Sequence, residues 1–335
     1  MESTVTRPGL PTVSVIVPAY QAAGFIKNTL ESILAQTFQD FELIVINDGS
    51  PDTEDLERIL EPYRHRIIYV VQENQGLAGA RNAGIRASRG EFIAPLDADD
   101  LWAPDHLAVQ VSALRADPSI DMIYSDARIF GDVPEAGRTL MELSPSQGEV
   151  TLEKLVTREC VVNVCVCVIR KEILIRAGLF DATLRRTEDI DMWLRIMMHR
   201  GRITYHRQVL GFYLRRPGSL SSDFRAMLES YMGVLSKIAQ SPLLTASQRD
   251  VVERQIPRER ARLEAELGKE AFLSGDSTAA IRHLKRANEG QRSARIALVL
   301  LLLRVAPGFA KELYSWRHRS ITSSLPRERS LPADE

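Results

Sequence analysis

Asp97, Asp99 and Asp100 follow directly on the apolar run Glu91–Leu96 (EFIAPL), and Asn47-Asp48 follow Phe41–Ile46 (FELIVI). Carboxylates two residues apart in an extended or turning segment can face the same side, so that one reaches a metal ion while the other accepts from a ribose hydroxyl. Several carboxylates in one cleft repel one another unless a cation lies among them. Magnesium and manganese take one or two protein carboxylates together with phosphate oxygens and water, which points to a nucleoside diphosphate as the remaining ligand source. A second acidic pair, Glu188-Asp189, opens a helical segment. A carboxylate there can take a proton from an attacking hydroxyl or simply favour a helix N-terminus. Two plainer roles compete elsewhere: Asp97 to Asp100 as the cap of a helix beginning near Pro104, held for Asp100 but not for Asp99, and Asp48 as a turn-former in Asn-Asp-Gly.

These groups need a scaffold that gathers them, and the pattern supplies one. Apolar strand-like runs alternate with segments of helical period, as in βαβ units joined into a mostly parallel sheet. Thr12–Pro18 (TVSVIVP) is nearly all apolar, as expected of a strand covered on both faces. Ile26, Leu30, Ile33 and Leu34 form a helical stripe; Phe41–Ile46, Arg66–Val71 and Glu91–Leu96 read as further strands, with a helix over 77–87 before the last. Pro18-Ala19-Tyr20, Asn47-Asp48 and Asp97-Ala98-Asp99 would then all lie at strand C-termini, where such sheets bind ligands. Strand 120–124 extends the sheet, and 131–148, rich in Gly, Pro and Glu, reads as a mobile surface loop. The run 160–169 (CVVNVCVCVI) is strongly β-prone, 171–177 is a short helix ended by Gly178, and 188–199 is another helix. Beyond Leu214 the strand signals stop.

At this point the chain resembles family 2 glycosyltransferases of the GT-A fold. The matches are VSVIVPAY (13–20), INDGSPD (46–52), NQGLAGARNAGI (74–85), FIAPLDADDLWAPDHL (92–107) and TEDIDMWLR (187–195). A lone Asp-x-Asp is weak, but five motifs in the family's order are specific. The resemblance implies a three-layer α/β/α fold with a Rossmann-like sheet, and an inverting transfer from a nucleoside-diphosphate sugar, a UDP-sugar favoured, to a hydroxyl of a saccharide or lipid-linked acceptor in cell-surface polysaccharide or glycoconjugate synthesis. It implies that Pro18, Ala19, Tyr20 and Asp48 hold the base and ribose, that Arg81, Asp97 and Ala98 contact the nucleotide, and that Asp99 takes a divalent Mn or Mg ion. Asp189, beside Glu188, becomes the base, and Trp193 and Arg216 fall on the acceptor side, with core packing the competing role for Trp193. Asn82 and Gly84 are expected to serve packing and loop geometry. Backside displacement would turn an α-linked donor into a β-linkage.

One departure stands out. Many relatives carry Tyr-Arg-x-His-x-x-Ser after the catalytic helix, whereas Tyr213-Leu214-Arg215-Arg216-Pro217-Gly218-Ser219 puts Arg216 at the histidine position. A guanidinium suits a diphosphate better than a metal. The chain also lacks Gln-x-x-Arg-Trp, which implies single addition rather than processive synthesis.

Composition narrows the remaining classes. The chain has 335 residues, 43 Lys+Arg against 44 Asp+Glu and 44% hydrophobic residues, an ordinary globular make-up that gives no global attraction to nucleic acid. The first residues do not read as a secretory signal. The longest apolar run, Ile296–Leu303, is bounded by Arg295 and Arg304 and falls short of the roughly 18 residues that span a bilayer. Cys160, Cys165 and Cys167 read as buried free thiols of a reducing cytosol. The expected organisation is a tail over 1–10, a GT-A domain over 11–223, a helical region over 224–320 and a tail over 321–335. Within the helical region, 267–287 resembles a single tetratricopeptide helix pair. Nine Lys/Arg lie between Arg282 and Arg319, with Tyr314 and Trp316. They suit either a packed basic helix or, by slight preference, peripheral contact with an anionic membrane. The expected location is cytoplasmic, at the inner face of the cell membrane. Two other functions fit parts of the pattern: a nucleotidyltransferase on a similar sheet, which would leave Asp189 idle, and a catalytically silent scaffold.

Overall fold

Val13–Ala19 is buried at every position and forms β1. A run rich in β-branched residues, here Val13, Val15, Ile16 and Val17, is stable as a strand where both faces are covered. In the computed structural model, which describes residues 9–291 and 293–305, β1 is followed by α1 (Ile26–Leu34), β2 (Phe41–Asp48), α2 (Thr53–Leu60), β3 (Ile67–Gln72), α3 (Gly76–Ala87) and β4 (Phe92–Pro95). β5 (Leu101–Trp102), α4 (His106–Ala116), β6 (Met122–Phe130), α5 (Leu140–Leu143), α6 (Leu152–Thr157), β7 (Cys167–Arg170), α7 (Lys171–Arg176), α8 (Glu188–Met198) and β8 (Ile203–Leu214) complete the sheet region. One sheet has the order β3-β2-β1-β4-β7-β6-β8-β5. β3, β2, β1 and β4 are mutually parallel, β7 is antiparallel to both β4 and β6, and β8 runs parallel to β6. Register shifts around Asp126 irregularise the β6–β8 pairing, as bulges do where a sheet curls.

The alternation of β1 sorts the helices. Val13, Val15, Val17 and Ala19 join a core with Ile26, Leu30 and Ile33 of α1, Leu56 and Leu60 of α2, and Leu107, Val111 and Leu114 of α4. Ile16 faces the other way, towards α3, where a Cβ added at Gly84 would stand 2.3 Å from Ile16 Cγ2. Only a residue without a side chain lets α3 lie that close.

Three expectations need correction. The β-prone run 160–169 is a strand only from Cys167, after a 3-10 turn over Val164–Val166. Its cysteines and all its valines except the exposed Val161 are buried, but the backbone there is satisfied by distant side chains: Trp102 Nε1 donates to Cys165 O at 2.6 Å and Gln110 Nε2 to Val166 O at 2.8 Å. Apolar burial, not ladder pairing, produced the signal. The segment 131–148 is not simply a loose loop. It contains α5, opened by a reciprocal capping box between Thr139 and Glu142, and its fully buried Ser146 accepts from Tyr205 and Arg207. Asp100 does not cap a helix. The chain enters β5 after it, α4 starts at His106, and Asp100 Oδ1 accepts from the Leu214 backbone N–H at 2.8 Å.

Past β8 come α9 (Phe224–Ala239), α10 (Ala246–Leu273), α11 (Ser277–Gln291) and α12 (Ala294–Val305). The chain divides into two compact units, one running to Asp223 and taking in Gly233–Glu253, the other comprising Phe224–Met232 and the chain from Arg254. In the second unit Gly268 lies against Leu284, Asp276 Oδ1 accepts from Ala279 N–H at 2.8 Å to start α11, and Ala280, Leu284, Leu300 and Leu303 form a small core. Leu298, Val299 and Leu301 of α12 are exposed. No helix among the described residues is long and apolar enough to cross a membrane. The expected tail over 321–335, most of the tail over 1–10, and Tyr314 and Trp316 lie outside the described residues.

Candidate active site

Arg81 is the hinge of the site. It projects from α3, is fully buried, and splits its planar fork between two acids: Nη2 donates to Asp97 Oδ1 and Nη1 to Glu188 Oε1, both at 2.6 Å. The acidic tip beyond β4 and the first turn of α8 are thereby drawn to one place. Local geometry supports the meeting from both sides. Thr29 of α1 donates its hydroxyl to the carbonyls of Ala98 and Asp100, each at 2.9 Å, which fixes the acidic turn. Asn82 donates to Phe180 O and accepts from Phe180 N–H, pinning the loop that leads into α8. Thr187, at φ 58°, turns the backbone into that helix.

Asp189 lies beside this bridge. Burial, together with the charge of Glu188, pushes its carboxyl up to about 7, while Arg81 and the Ile190 N–H pull it back. A carboxylate held near neutrality is suited to accept a proton. Asp99 is also raised, first by burial and then by Asp97, and drawn back by Arg216, whose Nη2 stands 3.7 Å from Asp99 Oδ2. Asp97, Asp99, Glu188, Asp189, Arg81 and Arg216 therefore form one charged assembly.

On the strand-end side, Asp48 Oδ1 accepts from Gln72 Nε2 at 2.7 Å and Gln75 N–H at 2.9 Å. The Asn-Asp-Gly turn is made by Asn47, which accepts from Ser50 N–H at 2.9 Å, so the Asp48 carboxylate is not spent on the turn. Pro18, Ala19 and Ala98 are buried and Tyr20 is exposed. Trp193, placed on the acceptor side by resemblance, is fully buried and packs edge-on to Phe180 at 6.3 Å. It occupies the core position that was its competing role. Cys160, Cys165 and Cys167 are free and buried; burial pushes the last two thiols up, which leaves them inert.

Asp99, with Asp97 beside it, fits a hard divalent ion: the two half-buried carboxylates lie in one turn, and such an ion takes one or two protein carboxylates together with phosphate oxygens and water. No three His, Cys, Asp or Glu side chains among the described residues form a metal-holding group of their own.

Sequence reasoning missed a second ion network. Lys237 Nζ donates to Asp181 Oδ2 at 2.6 Å and to Asp191 Oδ1 at 2.7 Å, and Arg195 Nε donates to the other oxygen of Asp191 at 2.7 Å. Together they brace α8 behind Glu188 and Asp189. Only the Asp191/Arg195 pair, four apart on one helix, carried a local signal.

The family model described as glycosyl transferase family 2 matches residues 14–177. An uncharacterized glycosyltransferase, EpsJ of Bacillus subtilis, is 33% identical over 226 residues, covering 63% of this chain and 63% of that protein. An uncharacterized glycosyltransferase of Rickettsia felis is 30% identical over 192 residues, covering 56% of this chain and 31% of that protein. The chain thus spans less than two thirds of the length of these curated relatives. Among solved structures, the Staphylococcus aureus TarS fragment 1–349 in complex with UDP-GlcNAc superposes with TM-score 0.61 at 20% identity, covering 93% of this chain and 91% of that one. The mannosyltransferase PcManGT of Pyrobaculum calidifontis, in complex with GDP-Man and Mn2+, superposes with TM-score 0.62 at 21% identity, covering 93% and 84%. At these identities the likeness shows the fold, which is GT-A.

Proposed function

Because residues 14–177 belong to glycosyl transferase family 2, we propose that the protein moves a sugar, with inversion, from a nucleoside-diphosphate sugar to a hydroxyl of a saccharide or lipid-linked acceptor. The observation that carries this reading is the Arg81 bridge, which joins the donor-side Asp97 to the Glu188-Asp189 pair. Donor grip and proton removal belong within one site, and here the acids for both are tied together.

In this reading Asp48, Pro18, Ala19 and Tyr20 hold the base and ribose, with Ala98 in the floor. Asp99 holds a divalent ion, which when bound neutralises charge on the leaving diphosphate. Asp189 takes the proton of the acceptor hydroxyl as its oxygen bonds to the anomeric carbon and the bond to the diphosphate breaks. The leaving group needs no protein acid, since a nucleoside diphosphate departs as a stable anion. Arg81 holds Glu188 and Asp97 in place and limits how far Asp189 is raised.

The acceptor side is assigned to the concavity lined by Ser125, Met141, Ser144, Val161, Asn163 and Arg215, next in sequence to Arg216. Its mixed apolar and cationic lining suits an acceptor with an anionic or lipid-linked part. The exposed Leu298, Val299 and Leu301, flanked by basic residues, support peripheral membrane contact, and a cytoplasmic place at the inner membrane face goes with it.

The test is a panel of nucleotide sugars scored for manganese-dependent thermal stabilisation and nucleoside diphosphate release. A UDP-sugar is the expected winner. Pyrophosphate release would favour a nucleotidyltransferase, and an Asp189→Asn variant with undiminished biological function would favour a scaffold.

A further inference from the structure

Both acids of the Asp97/Asp99 pair face a guanidinium, but the two contacts differ in kind. Arg81 is fully buried and bonds Asp97 at 2.6 Å. Arg216 is 39% exposed, stands 3.7 Å from Asp99, and is held in place largely by lying over the Phe25 ring, 4.7 Å from its centroid. Its buried Nε has no hydrogen-bond partner. Arg81 is therefore a fixed tie, whereas the Arg216 contact is loose, and a half-exposed pair of that geometry is easily exchanged.

A guanidinium 3.7 Å from Asp99 Oδ2 competes with a divalent ion for that carboxylate. A neutral imidazole can donate a lone pair to a metal, while a guanidinium has none to give and stays protonated. Arg216 therefore adds a competing cation beside Asp99 and brings no ligand of its own. The planar fork has a better partner in a diphosphate, which it can bind through two parallel hydrogen bonds.

We propose that Arg216 is a displaceable counter-ion: it occupies Asp99 in the free protein, moves to the diphosphate when nucleotide binds, and so opens Asp99 to the divalent cation only after the nucleotide. This rests on the donor-site reading given above and adds an order of binding to it.

The test titrates Mn2+ into the full-length protein by electron paramagnetic resonance, with and without UDP or GDP, and does not read sugar transfer. Wild type should bind Mn2+ weakly alone and more tightly with the nucleotide diphosphate. Arg216→Met, which keeps a long side chain over Phe25, should bind Mn2+ alone about tenfold more tightly than wild type, because a competing charge is gone, and its gain on adding nucleotide should shrink. Arg216→His should bind Mn2+ alone at least as tightly as Arg216→Met and provides the reading if the methionine variant does not fold. Asp99→Asn should abolish the response in every background. The proposal is overturned if both position-216 variants bind Mn2+ no more tightly than wild type, or if wild type binds it equally well with and without nucleotide. Failure of every sugar donor in a transfer assay, alongside the expected Mn2+ response, would count against the transferase reading and leave the counter-ion role standing.

Discussion

Arg81 Nη1 reaches Glu188 Oε1 at 2.6 Å across 107 positions of sequence, while its Nη2 holds Asp97 at the same distance. One side chain on α3 thus sets the spacing between the acidic turn after β4 and the N-terminus of α8. The guanidinium suits the task because its donors are fixed in a plane, so the positions of both carboxylates follow from the position of one helix. Gly84, one turn further along α3, lets that helix seat directly on β1, and the sheet therefore dictates where the acids meet.

Removing the guanidinium strands two acids, Asp97 and Glu188. Arg81→Met should destabilise the protein by about 3–5 kcal/mol, the usual cost of leaving buried charges without their partner, read as a lower urea midpoint. Arg81→Lys keeps the charge but offers a single ammonium that cannot serve both acids in their present places. It should fold with a smaller loss and show a marked fall in kcat/KM.

Asp189 predicts opposite effects on activity and stability. In the role of base proposed for it, Asp189 works ionised, so kcat/KM should climb as pH rises through about 7 and level off above it. Its folded pKa lies above the 3.8 of a free carboxyl. The folded state therefore favours the protonated form, and that stabilisation is present in acid and lost as pH rises from about 4 to 7. Asp189→Asn, whose side-chain oxygen can still accept from Ile190 N–H, should lose transfer, retain nucleotide binding, and exceed wild type in stability at pH 8 by on the order of 1–3 kcal/mol. Denaturant titrations at pH 5 and pH 8 check this, since the advantage should shrink at the lower pH.

Much of the framework was legible because β1, β2 and β4 are buried on both faces and so read as largely apolar runs. The same logic misled at 160–166, where burial without strand pairing leaves a similar pattern. The acids themselves were visible, Asp48, Asp97 and Asp99 as strand-end residues and Glu188 and Asp189 at the start of a helix. Their arrangement was not, because it depends on contacts distant in sequence. Thr29 looks like any helix residue until its hydroxyl is seen beneath Ala98 and Asp100, and Lys237 lies 46 positions from Asp191. Arg216 was legible as an anomaly in a motif, but its contact with Asp99 needed the fold.

Lys237 braces α8 through Asp191, which is wholly buried. Lys237→Met should cost about 1–3 kcal/mol at pH 7, less than the loss of a sole partner, because Arg195 still holds Asp191 and Lys237 is partly exposed. The same lysine acts on Asp181. Burial alone would raise that carboxyl, but hydrogen bonds from Lys237 and Thr183 hold it down at about 2. A depressed carboxylate contributes stability above its unfolded pKa and loses it in acid. The gap between wild type and Lys237→Met should therefore be full above pH 4 and narrow as pH falls towards 2, measured by urea unfolding across that range.

The seat of α3 can be tested without touching a charge. Gly84→Ala places a methyl 2.3 Å from Ile16 Cγ2, with Cγ1 and Cδ1 only 3.1 Å away, so turning χ1 of this β-branched side chain exchanges one crowded carbon for another. The helix must lift from β1, at about 1–3 kcal/mol, and Arg81, one turn away, must move with it. Activity should fall along with stability, since Asp97 and Glu188 lose their common tie. Ile16→Ala alone leaves a cavity and should destabilise by about 2–5 kcal/mol. In the double variant the new methyl enters the vacated space, so the summed loss should be well below additive and part of the activity should return. Additive losses, with activity no better than in Gly84→Ala, would show that the Gly84–Ile16 contact does not set the position of Arg81.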